Sequence, residues 1–173
     1  MLGLPRSLKR GGHLVKQNVT RTKIVIEDLD MNLPAAGSAK AIGSAVIGDF
    51  PEGNILLLGA AAYLAFQKRG GDPDIVDTWE GDYAVGSVPN ADTTISGAEE
   101  DIIPEKSIGP GVAGIIGRTR GVNAARVMLD NTDGSLEINL NVLIDGVSVV
   151  DDGTANITID GEIELVYIVV GDD

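Results

Sequence analysis

The ten residues LEINLNVLID at positions 136–145 constrain the fold more than any other stretch. Leu136, Ile138, Leu140, Val142 and Ile144 recur at every second position, opposite Glu137, Asn139, Asn141 and Asp145. A period of two sends alternate side chains to opposite faces of an extended chain, so the segment reads as a strand with one dry and one wet side. Its flanks agree: DNTDGS at 130–135 is a strong turn, and Asp151, Asp152 and Gly153 mark another. Beyond that second turn Ala155, Ile157 and Ile159 alternate with Asn156, Thr158 and Asp160. The closing run EIELVYIVV starts half-exposed at Glu162 and Glu164 and is apolar on both sides from Leu165 to Val170, as expected where a strand enters a buried position or an interface.

The remaining segments extend the pattern. Lys23, Val25, Glu27 and Leu29 share one side of an extended segment and Ile24, Ile26, Asp28 and Asp30 the other, which suits an edge strand whose charges discourage edge-to-edge pairing. GSAKAIGSAVIGDF at 37–50 has apolar spacing that suits a short helix, against which its glycines argue. A turn at 49–54 precedes NILLLGAAAYLAFQ, which is expected to be a strand bulged near Gly59. After a break at 70–73, residues 77–86 read as a half-buried strand ending near Gly86. Residues 105–121, with five glycines, read as loops around one short strand, and Val122 to Leu129 as strand-like. Strand after strand with short turns predicts a mainly β chain, an antiparallel β-sandwich or jelly-roll-like single domain over 14–173, with residues 1–13 as an extended basic arm. At 173 residues, one domain can bury a sizeable core.

Charge divides the chain. The first 26 residues hold six basic residues and no acid, whereas 121–173 hold eleven carboxylates and Arg126 alone as a base, within a net charge of −13. Clustered carboxylates repel nucleic acid and anionic membranes, so neither is an expected partner. The N-terminal residues lack the continuous apolar stretch of a signal peptide, and the longest apolar run, 55–66, is shorter than the roughly 20 residues a helix needs to span hydrocarbon. Without cysteine there are no disulfides, thiolate metal sites or cysteine nucleophiles.

Chemical motifs are few. His13 is the one histidine, and no metal-ligand or Ser-His-acid pattern forms around it. Asp130 and Asp133 lack the glycine and glutamate positions of a calcium loop and fit an Asx-stabilised turn better. Gly109-Pro110-Gly111 is not a phosphate loop, since GxxxxGK[ST] is missing. The sequons at Asn18 and Asn156 carry no weight without a secretory signal. Trp79 near Tyr83 suits core filling more than a sugar-stacking platform in a chain with six aromatic residues. The candidate partner-binding residues are Arg6, Lys9, Arg10 and Lys16, a cationic arm suited to an acidic protein surface, including another copy of this chain.

Several longer phrases point further: DFPEGNILLLGAAAYLAF (49–66), GDYAVGSVPNADTTISGAEEDIIP (81–104), RTRG (118–121), LDNTDGSLEINLNVLIDG (129–146) and ELVYIVVGDD (164–173). In these the chain resembles structural proteins of tailed bacteriophage virions, particularly small capsid decoration or cement proteins. The resemblance implies a β-rich domain that assembles as a trimer, binds between major capsid proteins on the outer capsid surface after synthesis in the host cytoplasm, and stabilises the shell. It implies no enzymatic residue and no cofactor. It does not separate a cement protein from a head fibre or tail component, and the alternative from another class is a carbohydrate-binding β domain with Trp79 or a tyrosine exposed.

Overall fold

The computed structural model describes residues 18–37, 40–70, 74–145 and 154–170. Within them the chain forms β1 (Thr20–Leu33), β2 (Ala35–Gly37), β3 (Lys40–Asp49), β4 (Asn54–Lys68), β5 (Gly81–Gly86), β6 (Ile103–Ile108), β7 (Ile115–Asn123), β8 (Val127–Leu129), β9 (Glu137–Ile144) and β10 (Ala155–Val170). One sheet runs β1-β10-β4-β7, with β8 continuing alongside β4; the other runs β2-β3-β9-β5-β6. Every pairing is antiparallel.

With the three-residue β2 set aside as a short edge addition paired to β3, and β7 with β8 counted as one interrupted strand along β4, the pairs are nested: first with last, second with seventh, third with sixth, fourth with fifth. That nesting, split across two facing sheets, is the jelly-roll order. The expected β-sandwich is therefore present, and its topology is the jelly-roll variant. Between the sheets lies a mostly aliphatic core in which Leu33, Ile55, Leu57, Leu64, Leu140, Ile157 and Leu165 are fully buried, together with Phe66, Trp79 and Tyr83. Each such aliphatic side chain contributes roughly 1.5–3 kcal/mol by leaving water.

Local departures from the expected pattern have identifiable causes. In β1 the pairing with β10 slips between Ile26 and Leu29, where Asp28 takes φ 50° and its N–H donates to Asp160 Oδ1 at 2.9 Å. This bulge moves Leu29, Met31 and Leu33 onto the side of Ile24 and Ile26, whereas strict alternation grouped Leu29 with Lys23. The expected edge position of β1 holds. Chain then crosses between sheets at Pro34, which has no N–H for a ladder.

The short helix considered at 37–50 is instead β3. Its small residues serve close packing: a Cβ on Gly43 would sit 3.0 Å from the Asn32 carbonyl oxygen and 3.1 Å from Leu33 Cγ. The expected bulge in β4 is present beside Gly59, where Val166 pairs with Gly59 but Tyr167 pairs with Leu57. Strand β5 begins only at Gly81 and is almost wholly buried rather than half-buried, because Tyr83 and Val85 face the core while Ala84 on the other side is covered by Ile95. Residues 105–121 are not loops around one strand: they hold most of β6 and β7, and a break at Ala124–Arg126 separates β7 from β8.

Gly161 ties the bulge to its neighbours. It pairs with Ile26 on one side and Leu64 on the other, with φ 146°, and an added Cβ would overlap the Tyr63 carbonyl oxygen. Gly161→Ala is expected to cost at least about 3 kcal/mol, read as a lower urea midpoint at unchanged slope.

Candidate partner-binding surfaces

Arg6, Lys9, Arg10 and Lys16, with His13, lie outside the described residues. With the four cations of residues 1–17 set apart, the net charge of −13 becomes −17 on the remainder. The surfaces of that acidic body differ in how they are finished.

On the second sheet, the outward side of β9 is not wet. Asn139 and Asn141 are buried, and Leu143 joins Ala84 and Ile95 in a small apolar cluster. Residues 87–102 form a strap over this face, fastened by Asn141: its Nδ2 donates to the carbonyls of Val88 (3.0 Å) and Glu99 (2.7 Å), while its Oδ1 accepts from Ser44 Oγ (2.6 Å) and the Asn90 N–H (2.9 Å). Gly86 lets the strap close, since a Cβ there would overlap the Glu99 and Ala98 backbone. A single 3-10 turn at Gly97–Glu99 is capped by Glu99, whose carboxylate accepts from the Ser96 and Ala91 N–H groups at 2.9 and 3.2 Å. One sequence signal for this burial exists: the supposed wet side carries neutral amides and Leu143 rather than a row of charges.

Removing Asn141 takes the amide donor from the carbonyls of Val88 and Glu99, while the Asn90 N–H keeps Ser44 Oγ at 2.8 Å. Asn141→Ala is expected to destabilise by roughly 2–4 kcal/mol and to expose 87–102 to limited proteolysis before global unfolding.

Asp101 closes the strap's far end, accepting from Ser87 N (2.9 Å) and Ser87 Oγ (2.7 Å). Burial pushes its carboxyl above the usual value of 3.8, with the Ser87 bonds opposing that shift. The folded state thus holds this proton more tightly than the unfolded state does, so stability contributed by Asp101 falls as pH rises from about 4 through the raised folded value. Asp101→Asn should abolish that part of the slope, as seen by comparing urea midpoints of the two proteins between pH 4 and neutrality.

At one end of the sandwich, the turns at 49–54 and 130–136 are stapled together. Buried Asn131 donates to the carbonyls of Phe50 (3.1 Å) and Pro51 (2.8 Å) and accepts from the Leu136 N–H (2.7 Å). The result is a built acidic tip holding Asp49, Glu52, Asp130, Asp133 and Glu137, with Asp49 and Glu137 directly cross-strand. Asp130 and Asp133 cap their own turns, accepting from Thr132 Oγ1 at 2.9 Å and Ser135 Oγ at 2.7 Å. The Ser135 hydroxyl and N–H hold the Asp133 carboxyl below its usual range. The Asp130 and Asp133 oxygens are thus turned onto backbone and hydroxyls, as the Asx-turn reading expects. Among the described residues no group of three or more His, Cys, Asp or Glu is placed to hold a metal, and no helix is long and apolar enough to cross a membrane.

The outer face of the first sheet is open and mixed. Arg21 and Lys23 on β1 pair with Glu164 and Glu162 on β10, the first at 2.7 Å. Lys23 and, more weakly, Arg118 hold the Glu162 carboxyl below its usual range. Arg120 lies over the Tyr63 ring, 5.5 Å from its centroid.

Trp79 is fully buried, with Nε1–H donating to the Gly114 carbonyl at 2.9 Å. It fills the core as expected and offers no sugar-stacking platform.

No family model and no curated protein matches the sequence. Among solved structures, one similar chain is from Desmodium yellow mottle tymovirus, at 13% identity and TM-score 0.31 over 91% of each chain. Another, from a structure of the Gx strain of infectious bursal disease virus, has 10% identity and TM-score 0.27, covering 91% of this chain and 37% of that one. Superpositions of this quality do not establish a shared fold or role.

Proposed function

We propose that this protein is a non-enzymatic capsid decoration, or cement, protein of a tailed-phage virion, binding between major capsid proteins on the outer shell and stabilising it. The observation that carries this reading is the nested jelly-roll strand order, an architecture used repeatedly by capsid domains. Lectins use it too, and fold alone does not define function, so the phrase-level resemblance to virion proteins supplies the choice between them. Burial of Trp79 removes the tryptophan form of the carbohydrate alternative, which retains only the half-exposed Tyr63 beneath Arg120.

Decoration stabilises a shell by linkage: a protein that binds the assembled arrangement and not separated subunits lowers the free energy of the assembled state. Three copies at a local three-fold junction would add avidity where their spacing matches the shell. The four cations of the N-terminal residues are well suited to an acidic protein surface.

Mixing the purified chain with undecorated capsids should give saturable binding and a higher shell-disruption temperature. Absence of binding would remove the cement reading. Deleting residues 1–13 should lower occupancy and reduce its salt dependence while circular dichroism of the β body stays the same. Unchanged occupancy and salt dependence would remove the arm's role alone.

A further inference from the structure

We propose that the outer face of the first sheet is the surface through which this protein packs against a second copy of itself. The two sheets are finished differently. The second sheet's outer face is sealed by residues 87–102 through Asn141, whereas among the described residues no segment crosses the first sheet's outer face. Large apolar side chains stand open on it: Val25 is 60% exposed, Val122 51%, Met128 57% and Tyr63 38%.

Register arranges these side chains in rows. Met128, Leu56 and Ile168 are neighbours across β8, β4 and β10, forming an apolar band. Further along, Val122, Ala61 and Glu164 are neighbours across β7, β4 and β10. Between these rows lies a shallow groove of about 450 Å³, floored by Gly59 and Ala61, walled by Leu58, Val122 and Val166, and edged by Arg120 and Glu164. The apolar area spans four strands, roughly 14 Å across, and about 20 Å along from Leu56 to Tyr63. The product, about 280 Å², is comparable to the largest apolar patch a typical monomer exposes, and such a patch is often functional.

Charge selects the occupant. Two copies whose bodies each carry −17 repel through most orientations. This face carries little of that charge, because Arg21, Lys23, Arg118 and Arg120, four of the nine cations in residues 18–173, stand there with four carboxylates, Glu162, Glu164, Asp30 and Asp160. Among the described residues Arg120 forms no ion pair, leaving its guanidinium available to a carboxylate on the facing copy. An apolar centre with a charge-balanced rim is the composition expected where like molecules meet. A strongly cationic partner is better matched to the acidic tip.

The test is the mass of the full-length chain in solution, measured by light scattering at tens of micromolar without capsids, so that its outcome is separate from the cement reading. A mass of two or more times 17.9 kDa is expected for the native sequence. Val122→Glu and Met128→Glu, at exposed positions, should each weaken association at least tenfold with unchanged circular dichroism. Val112→Glu, on a residue 78% exposed elsewhere, should leave it unaltered. A native monomer overturns the proposal, as does an oligomer indifferent to the face variants or equally sensitive to Val112→Glu. A monomer that binds an apolar dye only after residues 1–17 are removed overturns it in favour of the chain's own N-terminal segment covering the face.

Discussion

The pairing of the first described strand with the last is the constraint on which the rest of the structure depends. Thr20 lies opposite Tyr167 and Leu33 opposite Ala155, so β1 and β10 run together over almost their whole length. Every other principal pair is nested inside that closure. It places β10 between β1 and β4, where both of its backbone edges are used and its inward residues Ile157, Ile159, Ile163 and Leu165 enter the core. Bringing such distant segments together carries a loop-closure cost before any contact repays it, and topologies of this kind fold slowly. The bulge at Glu27–Asp28 follows from the same closure, since it returns Leu29, Met31 and Leu33 to the dry side after Gly161 interrupts the pleat.

Buried asparagines then organise what the strands leave unfinished. Asn141 holds the strap to the second sheet and Asn131 joins the two turns of the acidic tip. An amide serves both places because it donates and accepts at once without placing a charge in a low-dielectric site, where an aspartate would be costly to ionise. The strap carries that cost at one point only. Asp101 is partly buried and raised, and its Ser87 bonds offset part of the desolvation. The two sheet faces therefore differ in finish: one is sealed by the chain, and the other, among the described residues, is left open.

Where packing followed a strict period of two, the fold was legible in the sequence. The dry side of β9 and the alternation of Ala155, Ile157 and Ile159 follow directly from side-chain order, and the bulge in β4 was marked by Gly59. Legibility failed where a non-local neighbour decided the outcome. Small residues in β3 resemble a weak helix until Leu33 is placed against Gly43, and Asn139 and Asn141 look solvated until a strap distant in sequence lies over them. Val122 and Leu129 look continuous although the chain breaks between them. For partner binding the sequence pointed to Arg6, Lys9, Arg10 and Lys16, which lie outside the described residues. It held a weaker hint of the sheet face as well, in the run from Leu165 to Val170 that is apolar on both sides; Val166 and Ile168 stand on the outer side of that run.

Charge distribution separates the two kinds of contact that the proposals require. A cationic segment meeting an acidic surface gains attraction that is screened over about 8 Å at physiological ionic strength, which favours encounter and orientation more than residence. The first sheet's outer face differs, because its exposed Val25, Val122 and Met128 would gain by leaving water and its cations are balanced locally by Glu162, Glu164, Asp30 and Asp160. Association through that face does not use up the carboxylates of the distant tip, where Asp49 and Glu137 remain side by side. A body that spends its few cations on one face and crowds its anions at one end can join copies of itself and still present an acidic surface outward.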